Sequence, residues 1–291
     1  MARTGRIKFS DRDAWHHVTS RIAGRQMLLA KSEVKGDMLD ALERSAEFSG
    51  VNVGSFAILD NHFHIVVHVP ACAGTVPERE VLRRYGALMG DKAALRLEER
   101  LRALRERGDA QKAEAILDRL RARMHDLSQF VKTFKEEFGR LYRRRDPMPG
   151  TLWEGRFKST LIGEAEYLRR CAAYVEMNPV RAGLSSRADS YAWNTVGMAR
   201  RGNAFAKRCR EWLASVVCPS GGDSPLLEEV FGRRIAQVSG GKILGSAEFV
   251  LAMLMRFSGK VRSRSARARA VTGMGFASHG WKLAGRLDAV A

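Results

Sequence analysis

Two β-rich runs, VNVGSFAIL at 51–59 and HFHIVVHV at 62–69, are separated only by Asp60-Asn61. A gap that short with turn-forming residues cannot hold a crossover, so the runs read as an antiparallel hairpin. That hairpin fixes the centre of a sheet, and the flanking patterns have to fit round it. Upstream, residues 15–22 (WHHVTSRI) read as a strand, with Gly24-Arg25 as a turn. Residues 32–49 place Val34, Met38, Leu39, Leu42 and Phe48 at helical spacing and stop at Gly50. Downstream, 77–128 is a charged helical stretch with Arg and Glu three and four apart, broken at Gly108-Asp109, and reads as an inserted helical hairpin. A helix at 129–142, a strand at 157–162 and a helix at 164–177 follow. The last stops at Asn178-Pro179, because proline disfavours helical geometry in the residue before it. The order β-α-β-β-α-β predicts an α+β chain with a ferredoxin-like antiparallel sheet.

Past residue 200 the chain changes character. Helices are expected at 205–217, 225–237 and 246–255. The stretch 256–291 carries Arg256, Lys260, Arg262, Arg264, Arg267, Arg269, Lys282 and Arg286 against one acid, Asp288. The expected organisation is a principal unit over 1–199, with 77–128 inserted into it, and a basic helical C-terminal extension over 200–291. Across the 291 residues, 50 Lys+Arg face 32 Asp+Glu, a formal net charge of +18. An excess of that size is the electrostatic footprint of a polyanion binder. The four cysteines form no CxxC pair, which speaks against a cysteine zinc site and suits a reducing compartment. The basic N-terminus lacks an apolar stretch and no apolar run is long enough to span a bilayer. A cytoplasmic, nucleoid-associated protein without membrane contact is therefore expected.

Strand periodicity puts His62, His64, Val66 and His68 on one face and Phe63, Ile65, Val67 and Val69 on the other. Two histidines two apart on a strand can offer both imidazoles to one metal ion; the same spacing fits two packed strand histidines. His68 lies about 13 Å beyond His64 in an extended strand and cannot share that ion. Three blocks bear on the choice: LDNHFHIVVHVP, then GTLWEGRFKSTLI, then YLRRCAAYVEMNPVRAGL. In this order they resemble the Y1 transposase family of insertion sequences, more closely its REP-associated tyrosine transposase branch. The resemblance covers about 13–195, interrupted by 77–128. The opening WHHVTSRIAGR is similar to the family's first strand but departs from it where a tyrosine usually stands, at Trp15 or His16. GGKILGSAEFV resembles a block that follows the core in longer chromosomal relatives.

The resemblance implies a core of the HUH endonuclease type. It implies His62 and His64 as ligands of Mg²⁺ or Mn²⁺, Tyr174 as the nucleophile and Asn178 as the third, polar ligand. Mixed imidazole and amide ligands suit Mn²⁺ somewhat better. Helical spacing of four puts Tyr174 and Asn178 on one face. The implied activity is a metal-dependent single-stranded DNA endonuclease and strand transferase. It would form a 5′-phosphotyrosine at hairpin or palindromic repeats, as monomer or dimer. Arg156, Lys158 and Arg181 are candidate phosphate contacts; Trp153 could stack on a base but reads better as core. Tyr142 and Tyr167 read as packing groups, and no motif places Tyr85 or Tyr191. The alternative is a non-catalytic nucleic-acid-binding regulator that retains the fold. A metallohydrolase of another class ranks last, because no further Asp, His or Cys ligands cluster near the pair.

Overall fold

The computed structural model describes residues 7–9, 11–217, 243–257, 269–271 and 278–281. Strand β1 (Ala14–Arg21) leads through a turn to helix α1 (Ser32–Ser49), then β2 (Asn52–Ile58) and β3 (His62–Val69). Helices α2 (Glu78–Met89), α3 (Asp91–Glu106), α4 (Ala110–Arg121) and α5 (Leu127–Arg145) precede β4 (Lys158–Ile162). Helix α6 (Ala165–Glu176), the one-turn α7 (Asn178–Arg181), α8 (Thr195–Arg200) and α9 (Ala204–Val217) follow. The chain then contributes β5 (Ile243–Gly245), α10 (Ala247–Phe257), β6 (Arg269–Val271) and β7 (Ser278–Trp281).

The sheet order begins β2-β3-β1-β4, with each of these pairs antiparallel, which is the expected ferredoxin-like arrangement. The hairpin closes as read, Leu59 N–H donating to the His62 carbonyl at 2.9 Å. A bulge between Val53 and Ser55 keeps Ser55 and Ala57 in register with Val66 and His64. Both faces are covered. Val18, Phe63, Ile65 and Val67 pack with Leu42 of α1 and Phe130, Phe134 and Phe138 of α5. The opposite face puts Ala57, Val66 and Ile162 against Leu168, Cys171, Ala172 and Val175 of α6. Gly50 ends α1 in the left-handed conformation (φ 63°), which costs a glycine little.

The insertion contains the hairpin expected round Gly108 as α3 and α4, with α2 before it, turned off at Gly90 (φ 88°). These helices share a small core of Val81, Leu88, Leu101, Ala113 and Leu117 that Phe48 of α1 joins to the main body. The expected side-chain pairs form, among them Arg83–Glu80, Arg84–Glu80 and Arg121–Asp118.

The C-terminal part departs from a purely helical extension. Beyond α9 it supplies three short strands, so that among the described residues the sheet runs β2-β3-β1-β4-β5-β7-β6. Strand β5 lies parallel to β4, with Leu161 opposite Ile243. Strands of three or four residues are too short to show alternation, which is why the sequence pattern there reads only as helix and loop. Phe249 of α10 sits directly on two glycines. A Cβ on Gly163 or Gly245 would lie 2.9 or 2.6 Å from its ring. Helix α9 is part of the core, burying Phe205, Ala206 and Cys209. The helix expected at 225–237 and the basic stretch Lys260–Arg267 lie outside the described residues. No described helix is long and apolar enough to cross a membrane.

Candidate active site

The face of the sheet beneath α6 carries an unusual density of nitrogen. Across the β1–β3 pair, Arg21 stands opposite His62 and Thr19 opposite His64, and His17 follows on the same face. His17 Nε2 is 2.9 Å from His64 Nδ1, and the two rings stack with centroids 5.1 Å apart. The rings of His62 and His64 are also 5.1 Å apart, edge to face. From above, Tyr174 brings its ring to 6.1 Å from His17 and 6.2 Å from His64. Helix α6 places it there because its apolar residues bury against the sheet, and Tyr174 lies in that buried row.

Tyr174 is only 2% exposed and His64 4%, while His62 is half-buried at the margin of the cluster. Burial, reinforced by the neighbouring charges of His17, His62, Arg181 and Arg21, holds the His64 pKa well below its usual value. His64 is therefore neutral at neutral pH, the form a metal ligand needs. The hydrogen bonds also sort the nitrogens. His62 Nδ1 is 2.7 Å from the Asn61 side-chain oxygen, which can only accept. Either ring of the His17–His64 pair can be the donor; with the proton on His64 Nδ1, both His62 and His64 would keep Nε2 free as a lone-pair donor. This is the orienting pattern that metal-binding imidazoles use. Among the described residues no group of three or more His, Cys, Asp or Glu is arranged to hold a metal. The His62 and His64 imidazoles are the adjacent nitrogen donors that the cluster offers.

Asn178 opens α7, one turn after Tyr174, and is buried. Its amide nitrogen donates to the carbonyls of Tyr174 (3.0 Å) and Val175 (3.4 Å), which turns its side-chain oxygen away from those carbonyls. It is joined to the cluster through the backbone of Tyr174; no contact with either histidine is seen. Arg181 lies across the nucleophile candidate, its guanidinium carbon 4.0 Å from the centre of the Tyr174 ring and one nitrogen donating to the Tyr174 carbonyl. Arg181 Nη1 and Arg21 Nε are both buried without an acceptor in the protein. Unsatisfied guanidinium N–H groups in a buried site are costly unless an anion completes them.

The other expected residues divide by position. Lys158 stands opposite Thr19 at the exposed start of β4, on the cluster's face. Arg156 is exposed but lines a cleft on the α5 side of the sheet, so it does not join the histidines. Trp153 is core, packed edge-on to Phe63. Tyr142 and Tyr167 are buried packing groups, and the Tyr191 hydroxyl donates to the Ile58 carbonyl. His68 stays out of the cluster, paired with Asp13 at 3.1 Å and set among Trp15 and Trp212. His17 and Arg21 are the members that sequence reading did not single out. The β1–β3 register would have found them, since alternation from Arg21 reaches His17.

A carboxylate fastens this helix. Glu176, buried at the end of α6, accepts from Ser55 Oγ at 2.7 Å on β2 and from Val196 N–H at 3.2 Å on α8. Burial raises its pKa to about 7 against the lowering effect of those bonds.

Among solved structures, the chain is similar to a REP-associated tyrosine transposase bound to a REP hairpin. The two are 14% identical, with a TM-score of 0.44, and the match covers 81% of this chain and 99% of that chain. No family model and no curated protein matches the chain.

Proposed function

We propose that the protein is a metal-dependent DNA strand transferase that cuts single-stranded or hairpin DNA through a covalent bond to Tyr174. The observation that carries this reading is the convergence of Tyr174 on His64, itself packed against His62, together with two guanidiniums that each hold one buried N–H without an acceptor. A tyrosine over paired imidazoles suits a nucleophile beside a cation site, and the unsatisfied N–H groups suit an anion.

His62 and His64 would hold Mg²⁺ or Mn²⁺, with Asn178 the candidate for the amide ligand. When bound, such an ion withdraws charge from a phosphate oxygen and orients phosphorus for in-line attack. The chain's own residues account for the rest. Arg21 and Arg181 would grip the non-bridging oxygens of one phosphodiester. Tyr174 Oη attacks phosphorus, the P–O3′ bond breaks, and the strand leaves with a free 3′-hydroxyl while its 5′-phosphate stays on the tyrosine. Rejoining is the reverse attack by a 3′-hydroxyl. His17 is a positioning residue: its bond to His64 Nδ1 fixes the orientation of the His64 ring, and with the proton on Nδ1 it would keep the His64 lone pair on Nε2.

The test is covalent capture. Incubation with a single-stranded hairpin substrate and Mn²⁺ should give a protein–DNA adduct stable to denaturant. Tyr174→Phe should abolish it while hairpin binding persists. An adduct of undiminished yield from Tyr174→Phe would move the nucleophile elsewhere. Metal-independent hairpin binding with no cleavage of any strand would favour the non-catalytic regulator.

A further inference from the structure

On the side of the sheet away from Tyr174, helix α5 and the segment 151–157 enclose a cleft of about 500 Å³. It follows α5 for about 22 Å at 1.5 Å per residue. Its walls carry Lys132, Lys135, Arg143 and Arg156 against a single acid, Glu136. Neutral oxygens fix two of these cations. Lys135 donates to the Gly155 carbonyl (2.9 Å) and to Ser20 Oγ (3.1 Å), and Arg143 to the Gly139 and Gly150 carbonyls. Trp153 forms part of the wall beneath Lys135, and its buried indole N–H has no acceptor in the protein.

The cleft's place in the fold matters more than its charge. Segment 151–157 is bound to the end of β1, Glu154 N–H donating to the Arg21 carbonyl at 2.9 Å and Trp153 bridging to Ile22. That is the same end of the sheet at which Arg21 stands opposite His62. A single residue, Phe157, separates Arg156 in the cleft from Lys158 on the catalytic face. A chain of phosphates can pass round the sheet's end from one to the other.

We propose that this cleft is a second nucleic-acid site, holding the single-stranded flank of the DNA whose scissile phosphate lies at Tyr174. It rests on the preceding reading only for where that phosphate lies. A cleft one helix and one loop wide excludes a duplex and admits a single strand. Successive phosphates suit cations spaced along a helix.

The experiment is binding of a mixed-sequence single-stranded oligonucleotide to the full chain carrying Tyr174→Phe, in EDTA, by fluorescence anisotropy over a range of salt. Without metal or nucleophile the readout is independent of chemistry. Lys132→Gln with Arg156→Gln removes two exposed charges. It should weaken binding about tenfold and make the slope of log affinity against log salt shallower by about 1.4, the value for two single-strand phosphate contacts. Lys92→Gln with Arg96→Gln on α3 removes the same charge far from the cleft and should leave the slope within half of that change. An unchanged slope in the cleft variant, or an equal loss in the α3 control, overturns the site. So does equal displacement of the strand by polyglutamate of matched charge, which would make it a site for acidic peptides. Failure to form an adduct with Mn²⁺ would instead count against the strand-transfer reading and leave this result standing.

Discussion

Single side chains decide the chemistry. Arg21 is the sharpest case, since its Nε is buried without an acceptor beside the paired histidines. Arg21→Gln should slow adduct formation under single-turnover conditions by roughly 10- to 100-fold, the loss of one charge-assisted bond, and Arg21→Lys should recover part of it. An unchanged rate would remove Arg21 from the phosphate grip. On the other face His16 is buried, its pKa lowered to about 3 by burial and the nearby His68, and Nδ1 has no partner. The folded state therefore holds His16 neutral, while the unfolded chain takes up a proton near pH 6.5. Its stabilising contribution is complete above pH 6.5 and is lost as pH falls from there toward about 3. His16→Leu should flatten the acid limb of stability by up to one proton, about 1.4 kcal/mol per pH unit, measured by urea unfolding between pH 6.5 and 4. His64 titrates the same way, so some slope should remain. An unaltered slope would show that His16 is not the group responsible.

At the scale of elements, α6 is held in register by Glu176, whose carboxylate ties it to β2 and α8. Glu176→Ala leaves the Ser55 hydroxyl and Val196 N–H buried without partners, and should cost about 2–3 kcal/mol in denaturant unfolding. A shift below half a kcal/mol would mean that the helix is seated by packing alone. Much of this layer was legible in the sequence. The Asp60-Asn61 turn and period-two alternation located the hairpin and put His62 with His64. The proline after Asn178 located the end of the helix bearing Tyr174 to within two residues, although Asn178 is itself helical as the first residue of α7. What escaped has physical causes. His17 and Arg21 enter the cluster through the pairing of β1 with β3, and register is a tertiary property that one strand's pattern does not contain. Strands β5 to β7 are three or four residues long and exist because an open edge at β4 accepts them. The break at Gly90 hides in a run of good helix formers, where one glycine costs only ~1 kcal/mol.

For the whole molecule, the closing of that edge is the consequential event. Ile7, Leu161, Ile243, Val250 and Met253 form one buried cluster, so the first described residue and α10 meet over β4. A chain ending at Val217 would expose the β4 edge with Leu161 and Ile162. It should express with increased aggregation and lowered thermal stability, because an uncovered strand edge templates pairing with other chains. A chain ending at residue 199 should fare worse, having lost the core residues Phe205, Cys209 and Leu213 as well. Light scattering during thermal unfolding of both truncations against the full chain checks the order; a monodisperse Val217 truncation of unchanged stability would contradict it.

The near-complete burial of Tyr174 bears on how faithfully such an enzyme would keep its product. A phosphotyrosine ester has two fates, transfer to a waiting 3′-hydroxyl or hydrolysis, and the second turns a reversible nick into a permanent gap. An ester formed beneath Arg181 and against α6's apolar contacts would meet few water molecules. The competing hydroxyl, delivered by the strand itself, would face little rivalry. The same packing that hides the tyrosine would thus make the break recoverable, so that an abortive encounter ends with the DNA sealed as it was found.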